Sequence, residues 1–356
     1  MKDIEFAIGG RLVGNRHAPL VIAEIGINHG GSLAVAREMV DAAKRAGVEA
    51  IKHQTHIVED EMSEAAKTLI PGNADVSIRE ITERCALNED EERELQHYVL
   101  SRDMEFLSTP FSRAAFWRLQ DMNVPAYKIG SGECNNLPLI ELIAEAGKPI
   151  ILSTGMNDLK TVGQAVRILR DHKLPFALLH CTNLYPTPYK LIRLNAMTQL
   201  KEAFPDALVG LSDHSVGNYP CLGAVALGAS ILERHFTDHM NRSGPDIPVS
   251  MDETACRELI EGSRAIWQAS GGDKTGLLEE EQVTRDFAYA TVVSVRPIGK
   301  GDVFTKDNIW VKRPGTGEIS AAEYDSVLGR AATRDIAADT HLKRDHLEKE
   351  PGDEAA

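Results

Sequence analysis

Gly210-Leu211-Ser212-Asp213-His214 and Leu232-Glu233-Arg234-His235-Phe236 decide the fold. Each is a short apolar run that breaks off in polar residues and a histidine. A helix-like stretch, Tyr219 to Ala229, lies between them. Two parallel strands joined by that helix carry both histidines out at the same end, where α/β folds place their chemistry. A lone histidine at a strand end is usually a satisfied polar residue. Two neutral imidazoles converging there make a metal site with open positions.

The same pattern runs backwards to Pro19. Strands are expected at Leu20–Ile25, Ala50–His53, Glu105–Ser108, Ala126–Ile129, Ile150–Leu152, Phe176–Leu179, Leu208–Leu211 and Ser230–Glu233. Amphipathic stretches such as Leu33–Ala46, Leu137–Ala146, Thr161–Arg170 and Met197–Phe204 alternate with them. Such alternation implies right-handed crossovers and a parallel sheet. Repeated to about Ser270, it has the size of an α/β (β/α)8 TIM barrel, roughly 250 residues. A doubly wound open sheet is the rival, but Gly30-Gly31-Ser32 after the first strand is no dinucleotide fingerprint. Residues 4–14 read as a hairpin turning at Gly9-Gly10 that plugs the barrel. The segment 56–88 is a long acidic insertion, and loops of that length are usually lids or disordered.

The expected divisions are an N-terminal hairpin (1–18), the barrel (19–271), a linker (272–285), a small domain (286–348) and a disordered tail (349–356). The small domain carries a weak internal repeat. Arg296 to Ile309 can be laid on Arg334 to Leu347, matching Ile298 with Ile336 and Phe304 with Leu342. A pseudo-symmetric fold of short strands and single helical turns is expected.

Composition narrows the function. With 43% hydrophobic and 26% charged residues the chain is an ordinary globular sequence. Its 356 residues carry a formal charge of −14, which disfavours nucleic acid and anionic membranes. No apolar run is long enough to span a bilayer, and Met1-Lys2-Asp3-Ile4-Glu5 lacks a signal core, so a cytoplasmic protein is expected. Five scattered cysteines without a CxxC read as reduced thiols.

Read for chemistry, the strand ends supply Glu24, Lys52, Gln54, Ser108, Thr109, Lys128, Ser131, Glu133, Ser153, His180, Asn183, Tyr185, Ser212, Asp213, His214, Glu233 and His235. Lysine inside a strand is costly unless paired. Lys52 and Lys128 form either buried salt bridges with Glu24 or Glu133, or an anion site. In the second case Ser131, Ser153, Ser212 and the Gly130-Ser131-Gly132 backbone are further donors. A Schiff-base lysine is a third option, but so many oxyanion donors favour electrostatics. Glu24 and Glu133 are candidate bases, or neutralise the lysines. Two histidines with otherwise oxygen ligands suit Mn²⁺, Mg²⁺ or Co²⁺.

The motifs Ala23-Glu24-Ile25-Gly26-Ile27-Asn28-His29, Ile51-Lys52-His53-Gln54-Thr55-His56, Ser108-Thr109-Pro110-Phe111 and Lys128-Ile129-Gly130-Ser131-Gly132-Glu133 resemble the sialic acid synthase family. So do Leu152-Ser153-Thr154-Gly155-Met156, the two histidine stretches and Gly244-Pro245-Asp246. The tail resembles the family's SAF domain, which is similar to type III antifreeze protein. The resemblance implies condensation of phosphoenolpyruvate with N-acetylmannosamine and water to N-acetylneuraminate and phosphate, with Glu24 and Glu133 as catalytic carboxylates. It implies Mn²⁺ on His214 and His235. It assigns Lys52, Thr109, Lys128, Ser131, Ser153, Asn183 and Ser212 to phosphoenolpyruvate. Gln54, Asn73, Tyr185, Asp246 and Phe287 fall to the sugar, as does Arg313 from the tail of a second subunit in a domain-swapped homodimer. The 56–88 insertion then belongs to the sugar pocket. The alternatives are a legionaminic or pseudaminic acid synthase, and a metal-dependent aldolase or lyase that does not use phosphoenolpyruvate. A metal-dependent hydrolase would want HxH on the first strand, where this chain has Ile27-Asn28-His29. A non-enzymatic, ice-binding role for the tail is disfavoured by its charged residues.

Overall fold

A hairpin of β1 (Glu5–Ile8) and β2 (Arg11–Gly14) precedes eight parallel strands. These are β3 (Leu20–Gly26), β4 (Ala50–Thr55), β5 (Glu105–Pro110), β6 (Tyr127–Ile129), β7 (Ile150–Ser153), β8 (Phe176–Cys181), β9 (Leu208–Asp213) and β10 (Ile231–His235). They close into a barrel in sequence order, with β10 pairing β3. The computed structural model describes residues 3–72 and 74–349. It divides into two units, Met1–Gly271 and Gly272–Ala356.

Helices lie between the strands: α1 (Leu33–Ala46), α2 (Val58–Glu61), α3 (Ile78–Cys85), α4 (Glu89–Leu100), α5 (Arg113–Asp121) and α6 (Leu137–Ala144). Then come α7 (Leu159–Asp171), α8 (Tyr189–Ile192), α9 (Asn195–Ala203), α10 (Tyr219–Ala226) and α11 (Glu253–Ala269). Their starts follow from side-chain caps. Ser32 accepts from the Val35 amide at α1, Ser112 from Ala115 at α5 and Asp158 from Thr161 at α7. The insertion 56–88 is built from α2, a 3₁₀ turn and α3, so much of it is regular structure.

Residue parity along the strands sorts the barrel into layers. Leu20, Ile22, Ala50, Leu107, Ala126, Ile151, Ala177, Leu179, Leu208 and Ile231 point inward and form a closed apolar cluster with Phe6, Ile8 and Val13 of the hairpin. The hairpin therefore plugs the barrel floor. The residues between them, such as Val21, Ala23, Ile51, Phe106, Leu178 and Leu232, point outward into the larger core shared with the helices. One or two steps further along the same inward rows, the apolar residues give way to Glu24, Lys52, Thr109, Lys128, Ser153, Ser212 and Glu233.

Gly210 shows how tightly the inner rows pack. A Cβ there would lie 2.1 Å from the Ile231 carbonyl oxygen and 2.6 Å from Leu179 Cδ2. The first neighbour is backbone and cannot swing away. Gly210→Ala is expected to destabilise the protein by about 3 kcal/mol, read by urea denaturation.

In the second unit, β11 (Thr291–Ser294) pairs antiparallel with β12 (Ile309–Lys312), and single turns follow at Ala321–Glu323, Tyr324–Val327 and Arg344–His346. The repeat is physical. Ile298 and Ile336, its matched pair, exchange both backbone hydrogen bonds, at 2.9 and 2.8 Å. Phe304, Leu342, Ile309 and Leu347 share one core with them. Helix α12 (Gln282–Ala288) precedes β11 and ends beside an exposed Phe287, while Arg313 directly follows β12.

Candidate active site

The inward polar rows end in a cavity of about 430 Å³ at the C-terminal mouth of the barrel. Its walls include Glu24, Lys52, Gln54, Thr109, Lys128 and Ser131. They also include Glu133, Ser153, Asn183, Tyr185 and Ser212, with His214, His235 and Asp246. Every site candidate of the first unit thus meets in one space, except Asn73, which lies outside the described residues. Phe287 and Arg313 belong to the second unit. Three polar residues of the strand-end inventory face away from the cavity. Ser108 binds Thr55, His180 binds the Ile192 carbonyl at 2.6 Å, and Asp213 accepts from the Ser215 amide and hydroxyl.

Two buried lysines stand on one side. Lys52 is in contact with Glu24. Lys128 donates to Ser153 Oγ at 2.8 Å and lies 3.5 Å from Glu233 Oε1. The partner of Lys128 is therefore Glu233 and not Glu133, whose carboxylate accepts from Asn136 at 2.8 Å. Glu233 also accepts from Ser212 Oγ at 3.1 Å, and its second oxygen has no hydrogen-bond partner. Glu233 occupies the same inward row as His235, two residues earlier. That period of two was the signal for it in the sequence.

Burial sets the proton affinities. It pushes the Glu24 carboxyl up to about 7, with Glu233 adding to the rise and Lys52 opposing it. Burial works against the Lys52 ammonium, but Glu24 and Glu233 together hold its pKa above the ordinary lysine value. Lys128 is lowered by burial and by Lys52. Glu233 resists its burial because Lys128 and Lys52 flank it, and it stays below the usual carboxylate range. The buried hydroxyl of Thr109 is unpartnered. Ser131 Oγ is held by the Gly155 amide at 3.0 Å. A Cβ on Gly155 would fall 1.8 Å from Asn183 Oδ1, so the glycine lets that side chain lie against the wall. Two ammonium groups with this many small donors form an anion cradle.

The two histidines lie side by side at the C-terminal ends of neighbouring strands, ring centroids 5.3 Å apart. Burial drives both down, His214 to about 4 with help from His235, and His235 to about 3 with help from Lys52. Both are neutral imidazoles at pH 7, the form that ligates metals. His214 Nδ1 lies 3.1 Å from the Thr182 carbonyl and donates to it, which leaves Nε2 with a free lone pair. The ring stacks on Tyr185 at 4.1 Å. Nδ1 of His235 is buried without a hydrogen-bond partner, 3.7 Å from Asp246 Oδ2. Burial raises Asp246 to about 6. Among the described residues no group of three such side chains converges as a metal cage. Two nitrogens with open positions fit a divalent ion whose remaining ligands are water or substrate oxygens.

Apart from Asn73, the sequence assigned no particular residue of the insertion to the walls. Met62, Pro71, Ile78 and Ile81 line the cavity on its apolar side, and His56 and Glu61 on its polar side. Lys52 and Lys128 are the only lysine or arginine side chains among the described wall residues. No helix among the described residues is long and apolar enough to cross a membrane.

A model of the NeuB family matches residues 39–275, and one of the SAF domain residues 289–348. An uncharacterized protein of Methanocaldococcus jannaschii is 37% identical, covering 96% of this chain and 98% of that one. The N,N'-diacetyllegionaminic acid synthase of Campylobacter jejuni is 35% identical, over 91% and 98%. The crystal structure of an N-acetylneuraminic acid (sialic acid) synthetase from Leptospira borgpetersenii superposes with a TM-score of 0.72 at 30% identity, over 79% of this chain and 95% of that one. Barrel, cavity and relatives agree: the chain belongs to the NeuB family of sialic acid and related nonulosonic acid synthases, with a SAF domain at its C-terminus.

Proposed function

We propose that the protein condenses phosphoenolpyruvate with N-acetylmannosamine and water, giving N-acetylneuraminate and phosphate. The observation that carries this reading is the division of one cavity into a two-lysine anion cradle and a pair of neutral histidines. Lys52 and Lys128 neutralise the phosphate and carboxylate, with Thr109, Ser131, Ser153, Asn183 and Ser212 as orienting partners. A divalent metal such as Mn²⁺ on His214 and His235 would polarise the sugar aldehyde as a Lewis acid. Gln54, Asn73, Tyr185 and Asp246 receive the sugar. C3 of phosphoenolpyruvate attacks the aldehyde carbon, forming the new C–C bond. The aldehyde oxygen becomes an alkoxide and C2 a cation; water adds at C2, and Glu24 takes its proton and passes it to the alkoxide. Glu133 is a second candidate for proton transfer. Phosphate then leaves with C–O cleavage. Run in ¹⁸O-water, the reaction should place the label in the sugar acid. Label in the phosphate would sink the route.

A second sugar, 2,4-diacetamido-2,4,6-trideoxymannose, is favoured by the likeness to the N,N'-diacetyllegionaminic acid synthase of Campylobacter jejuni. The apolar side of Met62, Ile78 and Ile81 would suit its methyl group. The polar wall of Glu133, Glu61 and Asp246 speaks for a sugar richer in hydroxyls. A phosphorylated sugar is disfavoured, because the described walls offer no further cation for a second phosphate. Comparing turnover of the two sugars and of N-acetylmannosamine 6-phosphate decides among them.

His235→Asn is expected to weaken Mn²⁺ binding by more than about 100-fold, measured by electron paramagnetic resonance titration without substrates. The reading extends to a domain-swapped homodimer in which Phe287 and Arg313 of a second copy approach the sugar. Sedimentation velocity and the sugar KM of Arg313→Ala test that part.

A further inference from the structure

We propose that His56 and Glu61 are positioning residues that fix the Gln54 side-chain amide with its NH2 towards Glu24, so that the insertion holds Glu24 as a proton acceptor at the cavity. This rests on the reading of Glu24 as the base. An unbroken chain of hydrogen bonds carries it. Gln54 Nε2 donates to Glu24 Oε1 at 2.9 Å. Gln54 Oε1 lies 3.0 Å from His56 Nε2. His56 Nδ1 lies 2.8 Å from Glu61 Oε2.

The chain has a direction. An amide has one donor end and one acceptor end, and a carboxylate only accepts. With its NH2 on Glu24, the Gln54 carbonyl must receive a proton from His56 Nε2, and the Glu61 carboxylate receives one from Nδ1, so both ring nitrogens act as donors. If His56 gave no proton there, the amide would gain by turning round, and its carbonyl oxygen would face the carboxylate. The geometry leaves little freedom at either end. The His56 ring stacks on Phe111, centroids 4.5 Å apart and planes 14° from parallel. Glu61 sits on α2, and its neighbour Asp60 accepts from the Ala114 amide at 2.8 Å and from Arg113 at 3.0 Å. That ties α2 to the start of α5. At the other end Gly26, at φ +37°, follows an irregularity in the pairing of β3 with β4. A Cβ there would lie 2.6 Å from Glu24 Oε1 and 2.9 Å from Gln54 Nε2. The glycine leaves room for the Gln54–Glu24 bond.

The competing role for His56 is filling space against Phe111, and the two roles rank substitutions in opposite orders. His56→Phe keeps a stacking ring and loses the donor. His56→Gln loses the ring and keeps an N–H donor. Positioning predicts that His56→Phe lowers kcat about tenfold, the loss of one oriented hydrogen bond, with the KM for phosphoenolpyruvate unchanged because the Lys128 wall is untouched. His56→Gln should retain more activity than His56→Phe. Glu61→Gln, which can still bond Nδ1 but no longer requires a proton on both ring nitrogens, should fall between wild type and His56→Phe. Equal or better activity of His56→Phe overturns the proposal. A second readout needs no turnover. Ring ¹⁵N NMR of the wild-type protein should find His56 Nε2 protonated, and a bare Nε2 overturns the proposal equally. If the wild type releases no phosphate from phosphoenolpyruvate with any of the sugars, the functional reading fails, and the ¹⁵N spectrum still decides the orientation.

Discussion

Lys128→Met is expected to lower kcat/KM for phosphoenolpyruvate about 10³-fold, the upper range for losing one preorganised donor to a developing anion. The side chain is buried, donates to Ser153 at 2.8 Å and stands 3.5 Å from Glu233. Lys52 is the other cation of the cradle, and alone it leaves the anion with one of its two ammonium partners. The substitution also leaves Glu233 buried with one cation fewer. Breaking a buried pair from one side costs about 3–5 kcal/mol, whereas replacing both partners by neutral groups is often harmless. The double variant Lys128→Met with Glu233→Gln should therefore recover most of the lost stability in urea denaturation and none of the lost turnover. Recovery of turnover would show that Lys128 serves the fold and not the anion.

Glu24→Gln is expected to reduce kcat by about 10²–10⁴-fold, the range for removing a general base, with Mn²⁺ affinity retained. The pH profile makes the test specific. Burial raises Glu24 to about 7, so the carboxylate, the form that accepts a proton, is lost as pH falls through that value. Wild-type kcat/KM should decline about tenfold per unit below roughly pH 7, and the residual activity of Glu24→Gln should lack that limb. An identical acid limb in both proteins would assign the titration to another group, and Glu133, itself raised by burial, is the next to substitute.

The barrel was legible because its strands are buried on both faces. They read as continuous apolar runs bracketed by glycine and proline, and alternating runs of that kind leave few topologies. Most strands run further than their apolar runs. Gln54, Thr109 and Ser153 continue their strands although they are polar, because the barrel mouth gives them partners. The lysines and histidines were visible as residues too costly to bury idly. Glu233 was in view but carried no role, since the salt bridge it makes depends on Lys128 from a strand on the far side of the barrel. His56 and Glu61 were not singled out because their meaning lies in the direction of hydrogen bonds, which residue identity alone does not encode. The insertion hid α2 and α3 for a related reason. Its apolar residues pack against the barrel mouth and leave only a short period to detect.

The layered interior also sets how this scaffold could be altered. Floor and mouth are written on the same inward rows, yet they share few side chains. The floor cluster with the hairpin supplies cohesion, and the mouth supplies charge. A combinatorial library confined to wall positions such as 62, 78, 81 and 185 would leave the floor and the anion cradle intact. Laboratory evolution towards other aldehydes could then change specificity without first having to rescue folding.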